Sequence, residues 1–128
     1  MKIKGFTLIE VMIVIVIVGV LAILFIPNMQ DPIERSRSKT AAFALQAIYS
    51  AEKRYLLSER SYYTSNDTGS INKNLFLNLN NTYFSYNIKP SGNGYLATAV
   101  RIDGKCKGLN MTVTHDNSTV KKTGCTVW

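Results

Sequence analysis

The chain carries 128 residues, with 15 lysines and arginines against 8 aspartates and glutamates, for a formal charge of +7. One histidine and two cysteines leave little material for a metal cluster or a nucleophile–base pair, and the length allows one modest domain. The positive excess attracts DNA, acidic polysaccharide or anionic headgroups without selecting among them.

Lys2 and Lys4 come first, then Gly5-Phe6-Thr7-Leu8-Ile9-Glu10, then an unbroken apolar run from Val11 to Ile26, closed by Pro27. A basic leader before an apolar segment reads as a signal peptide or membrane anchor. Only five residues precede Phe6, however, and no small-x-small cleavage site follows the run. Residues 6–26 match the roughly 20 that a helix needs to cross a bilayer. Glu10 is out of place there, because a carboxylate in hydrocarbon needs a partner or must reach the interface. The pattern therefore predicts a partner from elsewhere. Gly19 lowers helix propensity and Pro27 lacks a backbone donor, so the stretch between them is the weakest part of the helix.

Lys4-Gly5-Phe6-Thr7-Leu8-Ile9-Glu10-Val11, with Gly19 and Pro27 behind it, closely resembles the class III signal of type IV pilins and pseudopilins. The resemblance implies that a prepilin peptidase cuts between Gly5 and Phe6 and that the new amine of Phe6 is methylated. Residues 1–5 are then a leader, 6–27 a transmembrane and polymerisation helix, and 28–128 a periplasmic or extracellular head domain. Loss of Lys2 and Lys4 with the leader lowers the formal charge from +7 to +5. In that family the residue matching Glu10 pairs with the terminal amine of a neighbouring subunit, and the stretch matching Gly19 to Pro27 can unwind when the filament is stretched. Contacting opposite charges are tolerable in an apolar filament core, where they favour register more than stability. The residues by themselves also fit a plain membrane helix whose Glu10 snorkels to the headgroups.

Pro32 adds a second expected break or kink. Beyond it, Ala41, Ala44, Ile48, Ala51 and Tyr55 recur at spacings of three and four, with Leu45 on a flank and Arg35, Arg37, Lys39, Glu52 and Lys53 at polar positions. This predicts a helix to about Leu57. Counted from Phe6 it is about 50 residues, or roughly 78 Å at 1.5 Å per residue, too long for one small domain to bury. From Ser58 to Asn81 the periodicity is lost and turn residues dominate, with Tyr62-Tyr63 and Leu75-Phe76-Leu77 pinning the loop to the globule. Sequons such as Asn66-Asp67-Thr68 and Asn80-Asn81-Thr82 are expected by chance in so Asn-rich a chain.

From Tyr83 onward the pattern is strand-like. Tyr83 to Ile88 leads into the turn Lys89-Pro90-Ser91-Gly92-Asn93-Gly94, and Tyr95 to Ile102 follows. Leu109, Met111 and Val113 alternate with polar residues, His115-Asp116-Asn117 turns with His115 solvated, and Ser118 to Lys122 closes the set. The expected fold is α+β: a long N-terminal helix on an antiparallel sheet of three to four strands. An even cysteine count in an exported domain favours a Cys106–Cys125 disulfide, whose loop of about 20 residues contributes roughly 3 kcal/mol on the loop-entropy model.

No catalytic constellation is present: no Gly-rich phosphate loop follows a strand and the few acids show no paired spacing, so neither enzyme, cofactor nor metal site is expected. The order of strand, Cys106, alternating strand and Cys125 shortly before Trp128 is similar to minor and competence-type pilins, although the two residues between Cys125 and Trp128 depart from the spacing of that pattern. Arg101, Lys105, Lys107, Lys121 and Lys122 lie on or beside the disulfide loop, a candidate contact for DNA or another polyanion and equally a solvated rim that deters edge pairing. The resemblance implies a type IV pilus subunit, inserted in the inner membrane and then assembled into a surface fibre for adhesion, twitching motility or DNA uptake. Its partners are other pilin subunits, prepilin peptidase, the inner-membrane assembly platform and, through the lysines, DNA. The competing readings are a pseudopilin of a type II secretion system and a signal-anchored binding domain. A C-terminal disulfide loop, without an Asp-rich calcium loop, favours the pilin over the pseudopilin.

Overall fold

A computed structural model of the chain describes residue 1, residues 4–26 and residues 29–128. Lys2, in the expected leader, and Pro27, expected to loosen the helix, lie outside the described residues. The chain divides into two compact units, Met1–Asp31 and Pro32–Trp128.

The first unit holds α1, Leu8–Leu24, none of whose 17 residues is buried. It is apolar all round, and such a helix is stable only where something else covers it. Its length is roughly 26 Å at 1.5 Å per residue, and no helix among the described residues is long and apolar enough to cross a membrane. Gly19 sits in its interior with open space around the position of a Cβ. The helix ends instead at Phe25, whose N–H donates to Leu21 O, while the Ile26 N–H donates to Ile23 O. The single helix expected from Phe6 to Leu57 is thus two helices, since the next begins at Gln30. A proline at 27 disfavours helical geometry at Ile26 and brings no donor of its own.

In the second unit α2, Gln30–Glu59, carries Pro32 in its first turn, where a missing N–H costs nothing. Pro32 therefore starts the helix rather than breaking it. The buried stripe is Glu34, Ser38, Ala41, Leu45, Ile48, Ala51 and Glu52. Leu45 is central to it, whereas Ala44 and Tyr55 are its half-buried margins. The sheet is a meander of four antiparallel strands in the order β1 (Phe84–Ser91), β2 (Gly94–Arg101), β3 (Asn110–Thr114) and β4 (Asn117–Lys122). Alternation sends Phe84, Tyr86 and Ile88, then Tyr95, Ala97 and Ala99, then Met111 and Val113 into one core with the α2 stripe. His115 in the β3–β4 turn is half-buried against the backbone of Gly94, where a Cβ would lie 2.1 Å from the ring, so it is not simply solvated.

The stretch expected to be loop contains α3, Thr68–Leu75, capped by the Asp67 carboxylate, which accepts the Ser70 N–H at 2.8 Å. Ile71 and Leu75 anchor it in the core. Ahead of it, Ser65 exchanges two backbone hydrogen bonds with Ile88, and the Thr68 hydroxyl bonds the backbone of Tyr86. These bonds close the outer edge of β1.

Two carboxylates lie in the α2 stripe and their environments differ in sign. Glu34 accepts Arg101 Nε at 2.8 Å and Nη2 at 2.9 Å, and its Oε1 also accepts the Trp128 indole N–H at 3.3 Å. The Arg101 hydrogen bonds hold this carboxyl below the usual glutamate range, against the effect of burial. Glu52 is fully buried, accepts only the Tyr63 N–H at 3.0 Å, and keeps Oε1 without a partner among the described residues. Burial pushes its pKa up to about 7 from a usual 4.5. Glu52, expected at a polar position, is therefore in the core.

Glu52 keeps its proton up to about pH 7 when folded and only to about 4.5 when unfolded. Its contribution to stability is accordingly full below pH 4.5 and lost as pH rises through 7, a range of about 3 kcal/mol. Glu52→Gln should remove that slope: the variant gains on the parent by about that amount between pH 5 and pH 8 in denaturant titrations. Equal slopes would place the carboxyl in contact with water or a cation. Arg101→Met should cost about 3–5 kcal/mol by stranding Glu34, and Glu34→Leu added to it should restore most of the loss. A double variant no better than Arg101→Met would mean that the pair is not the source of the cost.

Candidate functional site

Gly5, Phe6 and Thr7 precede α1 without regular structure and are exposed, with Phe6 at 86%. The Gly5–Phe6 bond lies in an accessible stretch of the kind a peptidase binds extended. Thr7 is the N-cap of α1, and it forms a capping box with Glu10. The Thr7 N–H and hydroxyl each donate to Glu10 Oε2 at 2.8 Å, and the Glu10 N–H donates back to Thr7 Oγ1 at 3.4 Å. Glu10 is thus not without a partner in its own chain, as the apolar context suggested. Its Oε1 accepts no bond among the described residues, which leaves half the carboxylate for a second group.

The second candidate site is the end of the sheet where the disulfide lies. Cys106, in the β2–β3 loop, is bonded to Cys125, beyond β4. Lys122 is opposite Met111 and Asn110 is opposite Val100, so the end of β4, the start of β3 and the end of β2 share one end of the sheet. The β2–β3 loop spans that end, and Lys105, Lys107, Lys121 and Lys122 are exposed there. The loop turns through Gly104 and Gly108, both at positive φ, and Gly108 N–H bonds Arg101 O at 2.9 Å. Lys121 and Lys122 are consecutive on a strand and so face opposite sides of it. A single flat surface cannot engage both; a groove or a flexible polymer can.

Arg101 does not belong with them. It is 2% exposed, and its guanidinium is taken up by Glu34 and, through Nη1, by Tyr83 O at 2.8 Å. Its strand parity is the physical reason: it shares the inward face of β2 with Tyr95, Ala97 and Ala99. Gly104 packs over it, where a Cβ would come within 3.1 Å of Nη2. Arg101 is an anchor of the fold and has no edge left for a polyanion.

Among the described residues no group of three His, Cys, Asp or Glu side chains could hold a metal ion. The feature that sequence reading passed over is Arg37, counted as a polar position, with its guanidinium 4.0 Å above the Tyr83 ring. No local spacing links positions 37 and 83; only the docking of α2 on β1 brings them together.

Residues 1–26 match the family described as Prokaryotic N-terminal methylation motif. The chain is 42% identical over 65 residues to Type II secretion system core protein G of Escherichia coli K12, covering 51% of this chain and 45% of that protein. It is 44% identical over 61 residues to the type IV major pilin protein PilA of Myxococcus xanthus, covering 48% of this chain and 27% of that one. The chain thus spans less than half the length of these two relatives. A fuller match is the type IV wide pilus major component PilA4 of Thermus thermophilus, 34% identical over 96 residues, 75% of this chain and 72% of that protein. No solved structure matches the chain. An exposed bond ahead of an N-terminal helix capped by its own acid, an apolar helix without burial, and a relative matched over most of its length agree: the chain belongs to the type IV pilin family.

Proposed function

We propose that this chain is a structural subunit of a type IV pilus. Prepilin peptidase removes residues 1–5, Phe6 is N-methylated, and the subunit waits in the inner membrane until the assembly platform adds it to a surface fibre. The observation that carries this reading is α1, an apolar helix none of whose residues is buried. Identical helices from neighbouring subunits cover such a surface as well as lipid does. Before assembly, α1 is shorter than a bilayer's hydrocarbon core by about 4 Å, a mismatch that local thinning or the flanking Phe25 and Ile26 accommodate. No step of this role calls for catalysis by the subunit.

In the fibre Glu10 meets the amine of Phe6 in a neighbour. The capping box supports this reading, because it holds Oε2 within the chain and turns the carboxylate toward the start of the helix while Oε1 stays open. The second reading, a pseudopilin of a type II secretion system, rests on the likeness to core protein G. Intact mass and N-terminal sequencing of sheared surface fibres separate the two. A start at methylated Phe6 with the disulfide intact supports the pilus subunit, and absence from the fibres favours the pseudopilin.

Glu10→Ala should leave cleavage after Gly5 intact but reduce incorporation into fibres, as judged by immunoblots of sheared and cell-bound fractions. Incorporation at the parental level would remove the charge pairing. If the disulfide end takes part in DNA uptake, reversing Lys105, Lys107, Lys121 and Lys122 to glutamate should abolish uptake while fibres still assemble. Binding of duplex DNA by the parent should then weaken with salt at a log–log slope of about −3 to −4, as for about four phosphate contacts. Uptake unchanged in the reversed variant would assign the lysines to a solvated rim.

A further inference from the structure

Arg37 and Tyr83 form the most distinctive unassigned feature of the head. Between α2 and the outer edge of β1 lies a cleft of about 260 Å³, bordered by Ser36, Arg37, Thr40, Asn80 and Tyr83 with Phe84 at its floor. The Arg37 guanidinium carbon lies 4.0 Å from the centre of the Tyr83 ring, a cation–π contact that holds the group at the cleft. Among the described residues its N–H groups find no acceptor in hydrogen-bond range. The carboxylate it feels, that of Glu34, is already engaged by Arg101 and Trp128. Two guanidinium groups thus face one carboxylate around Tyr83, leaving one positive charge uncompensated at the mouth of the cleft.

The other wall is Asn80. Its Oδ1 accepts both the N–H of Thr82 at 2.8 Å and the Thr82 hydroxyl, which fixes the orientation of the amide. The Nδ2 hydrogens remain unused among the described residues. The Thr40 hydroxyl donates to Ser36 O at 3.2 Å, while the Ser36 hydroxyl is exposed and carries no such bond. The polar side of the cleft therefore presents the Arg37, Asn80 and Ser36 donors, beside an apolar lining of Ala41, Phe84 and Tyr86. A singly positive, partly enclosed site with these donors selects an acceptor-rich monoanion, and a guanidinium fork matches a planar carboxylate. The volume suits one sugar-sized ring rather than a larger ligand.

We propose that the Arg37–Tyr83 cleft is a binding site for an acidic sugar, with the uronate carboxylate on the Arg37 fork and ring hydroxyls on Asn80 Nδ2 and Ser36. Phe84 is opposite Arg101, so the cleft lies at the same end of the sheet as the lysines, but none of them lines it, and it does not depend on the assembly role.

Saturation-transfer NMR on the full chain in detergent micelles tests this, with glucuronate, glucose, glucose 6-phosphate and acetate as probes. Glucuronate should give ring-proton signals and glucose none. Arg37→Gln should weaken glucuronate by about tenfold, the loss of one charge-assisted hydrogen bond. Asn80→Asp keeps the acceptor that Thr82 uses and adds a negative charge to the cleft, so it should also suppress the signal without disturbing the fold. Lys121→Glu with Lys122→Glu should leave it unchanged. An unaltered signal in both Arg37→Gln and Asn80→Asp would overturn the assignment. So would glucose equal to glucuronate, displacement of glucuronate by equimolar acetate (which points to acidic side chains), or tighter binding of glucose 6-phosphate, which points to a phosphate site.

Discussion

The head is held by one buried ion pair. Glu34, on the second turn of α2, and Arg101, at the end of β2, are 67 residues apart in the chain and share two hydrogen bonds under 3 Å. Closing so long a loop is entropically costly, and the pair must also repay the removal of two charges from water. Further bonds make that possible. Arg101 Nη1 reaches Tyr83 O, its backbone bonds Leu109 and Gly108, and Trp128 covers Glu34 while its ring packs against Phe84. The start of α2, the start of β1, the β2–β3 loop and the residues after the disulfide thus converge on one carboxylate. The pair contributes less as attraction than as alignment, because any other docking of α2 would leave a buried charge unmet.

Glu52 shows what the same stripe does without a cation. It lies 18 residues after Glu34, five turns along the helix, and faces Tyr95, whose hydroxyl finds no partner among the described residues and whose ionisation is pushed up by burial and by Glu52 itself. Near neutral pH the folded chain carries this group close to its titration point, whereas Glu34 stays charged down to acid. The two ends of α2 therefore respond to pH in opposite directions. Acid weakens the Glu34 end by protonating a paired carboxylate, and alkali weakens the Glu52 end by charging an unpaired one.

Both features were present in the residue spacing, though residue type concealed them. Glu34, Ser38, Ala41, Leu45, Ile48 and Glu52 step by four and three, and Arg101 shares the parity of Tyr95, Ala97 and Ala99. A reading that sorts charged residues to the surface discards those positions before geometry is consulted. The sheet was legible because alternation over Leu109 to Val113 and the Gly92-Asn93 turn are local signals, although Lys89, Pro90 and Ser91, expected in that turn, belong to β1. Helix α3 was not: eight residues containing Gly69 and two asparagines have little intrinsic helicity, and they are helical because Asp67 caps them and Ile71 and Leu75 reach the core. The Arg37–Tyr83 cleft was beyond reading altogether, since its walls meet only through tertiary packing.

At the N-terminus the balance is reversed, and local chemistry settles almost everything. Thr7 and Glu10 satisfy the first turn of α1 with their own side chains, so the helix starts without help from any other segment. None of its residues is buried. A segment that is locally complete and globally unburied can pass from lipid to a bundle of its own kind without refolding, because its backbone bonds are internal in both settings. Only the carboxylate must change partner. In lipid, the Thr7 N–H and hydroxyl would keep Glu10 hydrogen-bonded. In a fibre the open Oε1 can accept an ammonium without giving up those bonds. On the proposed role, the capping box lowers the cost of both states, and a neighbour's amine is the interaction that would distinguish them.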